Sequence, residues 1–382
     1  MFKYKIKCFL VMTLMYLLRI FKIRNNKVVF VSFYGNYYND NPLKISEALQ
    51  KFKDVDIVWC LNDSIAHPSS IRTVSPGSFR YIYELATAKV WVDNCRKSDW
   101  VRKRKGQFYL QTWHGNLGNK RVEKAAQDTL PRAYIERARR DAKYTDLMIS
   151  GSAFFTKLCH KYFWYKGKIL ECGTPRLDIF FENREHIKAI VRKKLRLNEN
   201  DCVVLYAPTF RADYRTNCYN IDFSSLAKTI KKVYKQEASF LMRLHPGIAN
   251  EKLTNHYDDL LIDVTQYQNL YELILASDIV ISDYSSLTFE AGLLKMPILL
   301  YTPDLEEYKK ERGFYWEIEE LPFPYALDNE TLCDLIVYVN TAEYRDKLDK
   351  FYQKLEIKEY GNASETIAKV IIEIINSNLG YH

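Results

Sequence analysis

Four short clusters gather polar side chains for which a packed core has little use: Thr112-Trp113-His114-Gly115, Pro208-Thr209-Phe210-Arg211, Arg243-Leu244-His245-Pro246 and Ser282-Asp283-Tyr284-Ser285-Ser286. An imidazole titrates near neutral pH, so His114 and His245 are candidates to take or give a proton. A guanidinium can clamp a phosphate with two parallel hydrogen bonds, which suits Arg211 and Arg243. Hydroxyls beside the unpaired N–H groups at a helix start make a phosphate site, which suits Ser285 and Ser286. The chain has no H-x-x-x-H pair and no cysteine quartet. Cationic side chains can neutralise phosphates without an ion, so neither a metal nor a cofactor is expected.

These clusters fall where β-branched and aromatic runs end, and such runs must be the strands that position them. The runs are 28–33, 55–60, 90–92, 108–112, 147–150 and 169–172, then a second series at 203–207, 240–244, 260–264, 279–282 and 298–301. Alternation of such runs with helical patterns is the signature of βαβ units and parallel sheets. The charged, helical-looking stretch 182–197 lies between the two series. The expected architecture is therefore α/β of GT-B type, with two Rossmann-like doubly wound domains facing a central cleft where ligands bind. The expected divisions are an amphipathic membrane-association segment over 1–26, a first domain over 27–195 and a second over 196–382. An apolar-periodic helix over 363–375 could pack on either domain.

Charge narrows the partners. The net charge is +9, and Lys3, Lys5, Lys7, Arg19, Lys22, Arg24 and Lys27 all precede the first acidic residue, Asp40. Removing these seven from the 56 basic residues leaves 49 against 47 acidic ones. A near-neutral body with a basic leader points to an anionic membrane surface and away from nucleic acid. The uncharged stretch 8–18 is shorter than the ~20 residues that span a bilayer, and no small-x-small cleavage site follows it. An interfacial helix that dips Phe9, Leu10, Leu14, Leu17, Leu18 and Phe21 into the acyl boundary is expected, the alternative being a core helix of the first domain. The basic clusters 96–105 and 132–143 read as solvated faces. Eight cysteines without C-x-x-C spacing suggest a reducing cytoplasm.

Together with Phe33-Tyr34-Gly35-Asn36-Tyr37-Tyr38-Asn39-Asp40-Asn41-Pro42, Gln111 before Thr112, Tyr206-Ala207 before Pro208 and Arg312-Gly313-Phe314-Tyr315, the clusters resemble, in order, the motif set of the CDP-glycerol glycerophosphotransferases. That family comprises teichoic acid primases and polymerases and their capsule relatives, and the resemblance runs from about residue 28 to about residue 325. It implies transfer of glycerol phosphate, or a related polyol phosphate, from a CDP-activated donor to a lipid-linked envelope acceptor, with CMP released, at the cytoplasmic face of the membrane. The length suits a short primase-like or capsule-type member, and a homo-oligomer is left open.

In that setting His114 is the expected general base, the alternative being a buried histidine bonded to a backbone carbonyl. His245 and Arg243 are expected on the donor diphosphate, His245 also towards the leaving CMP. Thr209, Arg211 and Arg312 join them as donor ligands. Ser285, Ser286 and Asp283 either bind the donor or cap their helix, and Glu290 either holds the ribose or is a solvated helix residue. Asn39, Asp40 and Asn41 either hold the acceptor or cap the helix near Pro42, with Trp113 and Lys120 also on the acceptor side. Many relatives read Thr-Pro-Leu-Lys after the His-Gly pair, whereas this chain reads Asn116-Leu117-Gly118-Asn119-Lys120, which suggests a different acceptor. Two other functions compete: a GT-B glycosyltransferase using a nucleotide sugar, and a non-catalytic scaffold for envelope assembly.

Overall fold

β-Branched and aromatic runs build two separate all-parallel sheets. The computed structural model describes residues 2–211, 217–244 and 260–377. The first sheet holds β1 (Arg24–Val31), β2 (Asp56–Cys60), β3 (Arg72–Val74), β4 (Ala88–Asp93), β5 (Phe108–Gln111), β6 (Leu147–Ser150) and β7 (Lys168–Glu171), in the order β3-β2-β1-β4-β5-β6-β7. The second holds β8 (Cys202–Tyr206), β9 (Ala238–Met242), β10 (Leu261–Asp263), β11 (Ile279–Ser282), β12 (Ile298–Tyr301) and β13 (Tyr325–Ala326), in the order β10-β9-β8-β11-β12-β13. Strand order therefore reverses between β1 and β4 and again between β8 and β11. These are the two positions where the loops after the strands diverge and leave room for a ligand.

Period-two alternation decides which side chains meet which helices. Val28 and Phe30 of β1 join Trp59 and Val92 under the helices Asp40–Leu49 and Ala363–Asn376. Val29 and Val31 join Val58 and Trp91 under the helix Phe79–Thr87 on the other face. Both faces are covered, so the strands carry nearly continuous apolar runs. Phe30 and Trp59 stack with ring centroids 5.4 Å apart and are fully buried, so truncating either would cost about 3–5 kcal/mol.

The leader forms the helix Phe2–Leu17, one face of which packs into the core while the other is exposed. Met15 and Leu18 are buried against Ile82 and Leu85, with Val11 and Leu14 packed beside them. Phe9, Leu10 and Leu17 are instead more than 60% exposed. Leu14 and Leu18 thus belong to the core and not to an outward apolar face. Lys27, counted with the leader charges, is fully buried and paired with Glu84 at 2.5 Å. Among the described residues, no helix is long and apolar enough to cross a membrane.

The chain folds as two units that interleave along the sequence. Unit 1 comprises Met1–Asn116, Val122–Asp178 and Ile357–His382, and unit 2 comprises Leu117–Arg121 and Ile179–Glu356. The division differs from a break at 195/196: the helix Arg184–Lys194 belongs to unit 2, where Arg192 Nη2 meets Asp278 Oδ2 at 2.6 Å. The last helix belongs to unit 1, where its first turn is held by Asp178, which accepts from the N–H groups of Ala363 at 3.0 Å and Ser364 at 2.8 Å. No disulfide joins the cysteines among the described residues.

Candidate functional site

In unit 1 the β1/β4 reversal carries an imidazole in a built setting. After β5, Thr112 N–H donates to the Asp93 carbonyl at 2.9 Å, extending the pairing with β4 by one residue. Trp113 then adopts φ +54°, a left-handed conformation uncommon outside glycine, and its N–H is held by Gln111 Oε1 at 2.9 Å. This turn lays His114 against the Trp113 ring, with centroids 4.5 Å and planes 25° apart. Phe33 lies 5.4 Å from the imidazole. His114 Nδ1 is 2.6 Å from the carbonyl oxygen of Asn94. A carbonyl only accepts, so Nδ1 carries the proton in this contact and Nε2 keeps its lone pair. Burial lowers the His114 pKa below the ordinary imidazole value, and the Asn94 hydrogen bond offsets part of that shift.

Asn94 was not among the candidates read from sequence, yet it ties two loops together. Its carbonyl accepts the hydrogen bond from His114 Nδ1–H while its side-chain oxygen accepts from Phe33 N–H at 2.8 Å. The clue available was the polar pair Asp93-Asn94 at the end of an apolar strand. Beneath Trp113 lies Arg96, whose guanidinium carbon is 5.3 Å from the ring centroid. Arg96 pairs with Glu123 at 2.6 Å and Asp141 at 3.1 Å, and all three side chains are 1% exposed. Arg96 and Lys97 are both buried, which corrects their reading as part of a solvated cluster.

The acceptor candidates separate into distinct roles. Asn41 is fully buried, donates to the Trp113 carbonyl at 3.1 Å and accepts from Arg176 N–H at 3.1 Å. It cross-links the histidine loop and neither caps nor faces outward. Asp40, at φ +65°, opens the helix Asp40–Leu49 and pairs with Arg176 at 3.0 Å. Asn39 holds the N-cap position without a side-chain cap bond, and its Oδ1 accepts from Ser32 at 3.3 Å.

In unit 2 the β8/β11 reversal opens into a cavity of about 390 Å³, lined by Thr209, Arg243, Ser285, Ser286 and Lys120 among others. Among the described residues its lining includes two cations and four hydroxyl side chains, Tyr308 being the fourth, and no carboxylate. The Thr209 hydroxyl is buried with no hydrogen-bond partner among the described residues. Arg243 sits at the end of β9, donating to the carbonyls of Val264, at 3.4 Å, and Tyr267. Ser285 Oγ accepts from Leu287 N–H at 3.3 Å, so it also caps the short helix Leu287–Ala291.

Asp283 and Arg211 are buried and do not line this cavity, and their hydrogen bonds hold the loop that carries Thr209. Asp283 Oδ1 accepts from Thr209 N–H at 2.9 Å and from Tyr284 N–H at 2.6 Å. Arg211 is 1% exposed and pairs with Asp283 at 2.8 Å and Asp304 at 2.7 Å. The expected phosphate clamp is already closed on two carboxylates. Glu290 is 3% exposed and accepts from Tyr271 hydroxyl at 2.8 Å, which corrects its solvated reading, and it does not line the cavity. Lys120, expected with the acceptor, lines this cavity. Arg312 closes the helix Leu305–Arg312, and His245 lies outside the described residues.

Comparisons with known proteins extend along nearly the whole chain. A teichoic acid poly(glycerol phosphate) polymerase of Bacillus spizizenii is 29% identical over 365 residues, covering 91% of this chain and 93% of the relative. A teichoic acid glycerol-phosphate transferase of Staphylococcus aureus is 30% identical, covering 91% and 93%. The solved structure of the wall teichoic acid polymerase TagF superposes with a TM-score of 0.85 at 29% identity, covering 97% of this chain and 95% of that one. A further structure of that polymerase was obtained with CDPG by soaking. The model of one family, described as CDP-glycerol:poly(glycerophosphate) glycerophosphotransferase, matches residues 12–373, and the chain belongs to that family.

Proposed function

We propose that the protein transfers glycerol phosphate from CDP-glycerol to a hydroxyl of an envelope glycan or polymer in teichoic acid synthesis. The observation that carries this reading is the unit 2 cavity, where the cations Lys120 and Arg243 and the hydroxyls of Thr209, Ser285 and Ser286 gather in a lining that suits a diphosphate. Thr209, Arg243, Ser285 and Ser286 are its ligands, and the Thr209 hydroxyl donates to a phosphate oxygen. Arg211 and Asp283 hold the loop that presents Thr209. His245, next in sequence to Leu244 of the lining, assists the departing CMP.

His114 acts as general base through Nε2. The acceptor oxygen attacks the phosphorus that bears glycerol, the bond from that phosphorus to the bridging oxygen breaks, and CMP departs with the bond's electrons. Nε2 takes the acceptor proton. Asp40 and Asn39 sit beside this loop on the acceptor side. Phosphate charge is met by side-chain cations, so activity persists in the presence of a chelator.

The acceptor is lipid-linked, and the protein works at the cytoplasmic face of the membrane. The outer face of the helix Phe2–Leu17 supports this, with Phe9, Leu10 and Leu17 exposed beside exposed Lys3, Lys5 and Lys7. Purified protein supplied with CDP-glycerol, CDP-ribitol or UDP-sugars plus a lipid-linked acceptor tests the reading. CMP release with CDP-glycerol is expected, whereas turnover with a UDP-sugar alone would favour a glycosyltransferase.

A further inference from the structure

We infer that Lys120 is a ligand of the donor diphosphate, carried into unit 2 by a five-residue strap that continues from the histidine loop. The inference rests on the donor reading of the unit 2 cavity. Residues Leu117–Arg121 belong to unit 2 although the chain on either side belongs to unit 1. The strap is fixed along its length. Arg121 N–H donates to the Gly313 carbonyl at 3.1 Å, and Tyr315 N–H donates to the Asn119 carbonyl at 2.8 Å. The Asn119 amide bonds the Trp316 backbone twice, donating to its carbonyl at 2.9 Å and accepting from its N–H at 2.8 Å. Lys120 itself forms a bridge with Phe314. A backbone held at this many points presents its side chain from a constant position, which limits the entropy lost on binding.

Three observations place the ammonium with the donor. Lys120 lines the same cavity as Thr209, Arg243, Ser285 and Ser286. Its Nζ lies 5.9 Å from the ring centroid of Tyr308, another lining residue. A Cβ on Gly118 would stand 3.3 Å from the Ser286 Cβ, so the strap runs directly alongside the hydroxyl pair. Arg243 spends one nitrogen on the carbonyls of Val264 and Tyr267. A second cation matches the two negative charges of a diphosphate, and a compact ammonium serves as a point charge where a fork is not required.

Titration of the full-length protein with CDP-glycerol, CDP and cytidine tests this. Lys120→Ala should weaken CDP-glycerol and CDP roughly 10- to 100-fold and leave cytidine unchanged. Lys120→Arg should retain most of the affinity. Unaltered CDP-glycerol affinity in Lys120→Ala would overturn the inference, as would an equal loss for cytidine, which marks a collapsed cavity. Failure of the unmutated protein to bind CDP-glycerol would instead overturn the donor reading, and the inference with it.

Discussion

The imidazole of His114 hydrogen-bonds through Nδ1 to the backbone carbonyl of Asn94 at 2.6 Å, so the proton that orients the ring and the lone pair that can act as a base are on different nitrogens. A histidine bonded to a backbone carbonyl and a catalytic histidine are commonly rival readings. Here the first arrangement sets up the second, because the carbonyl fixes the tautomer. His114→Gln should lower turnover about 10²- to 10⁴-fold while CDP-glycerol affinity stays near the unmutated value. Single-turnover CMP release together with donor titration checks both.

The pH profile has a definite sign. Burial lowers the His114 pKa from 6.5, so the ring stays neutral, and competent as a base, to lower pH than a free imidazole. The acid limb of kcat/KM should fall below pH 6.5 and disappear in His114→Gln. Between the lowered folded value and the ordinary one, the unfolded chain binds more protons at this site. Its contribution to stability is thus present above about pH 6.5 and lost as pH falls.

Arg96 is the support of the stack below the base. Asp141→Ala leaves Arg96 paired with Glu123 but removes the acceptor of the buried Arg96 Nη1 and Lys97 N–H groups, which should cost about 1–3 kcal/mol. Chemical denaturation followed by tryptophan fluorescence measures this. Because Arg96 lies over Trp113, fluorescence of the folded variant should change as well.

Arg211 should behave as a scaffold residue. Its guanidinium engages Asp304 through two nitrogens, at 2.7 and 3.0 Å, and Asp283 through the third at 2.8 Å. Lysine cannot reproduce that fork, so Arg211→Lys should lose stability as well as donor affinity. A residue that merely clamped phosphate would lose affinity alone. Calorimetric unfolding without donor separates the two.

The leader calls for a gentler test than deletion. Removing residues 1–24 would strip Met15 and Leu18 from the core beneath Ile82 and Leu85. The pair Phe9→Ser and Leu10→Ser alters only exposed positions and should move the protein from vesicle pellet to supernatant with its unfolding midpoint unchanged. Persistence in the pellet would count against the interfacial face.

Sequence periodicity revealed the long strands because Val, Ile and aromatic runs recur between helical patterns. It did not reveal β3 and β13, whose three and two residues are too short to show a period. Strand ends likewise exposed His114, Thr209, Arg243 and the serine pair. The tasks of Arg211 and Asp283 were not legible, because a pairing across 72 positions leaves no local trace. Asn94 escaped for a different reason: it orients the base through a backbone carbonyl, which any residue type possesses. Arg96 looked solvated in a basic run because its partners, Glu123 and Asp141, lie 27 and 45 positions away.

The brief detour of Leu117–Arg121 also bears on how this protein can be dissected. Neither unit is an uninterrupted stretch, since unit 1 is completed by Ile357–His382 and unit 2 by those five residues. No single scission of the gene releases either one whole. A fragment expressed from 179 to 356 would contain every strand of the second sheet yet lack Lys120 of its own cavity lining, so exchanging the whole lining between relatives requires transplanting two separate segments together.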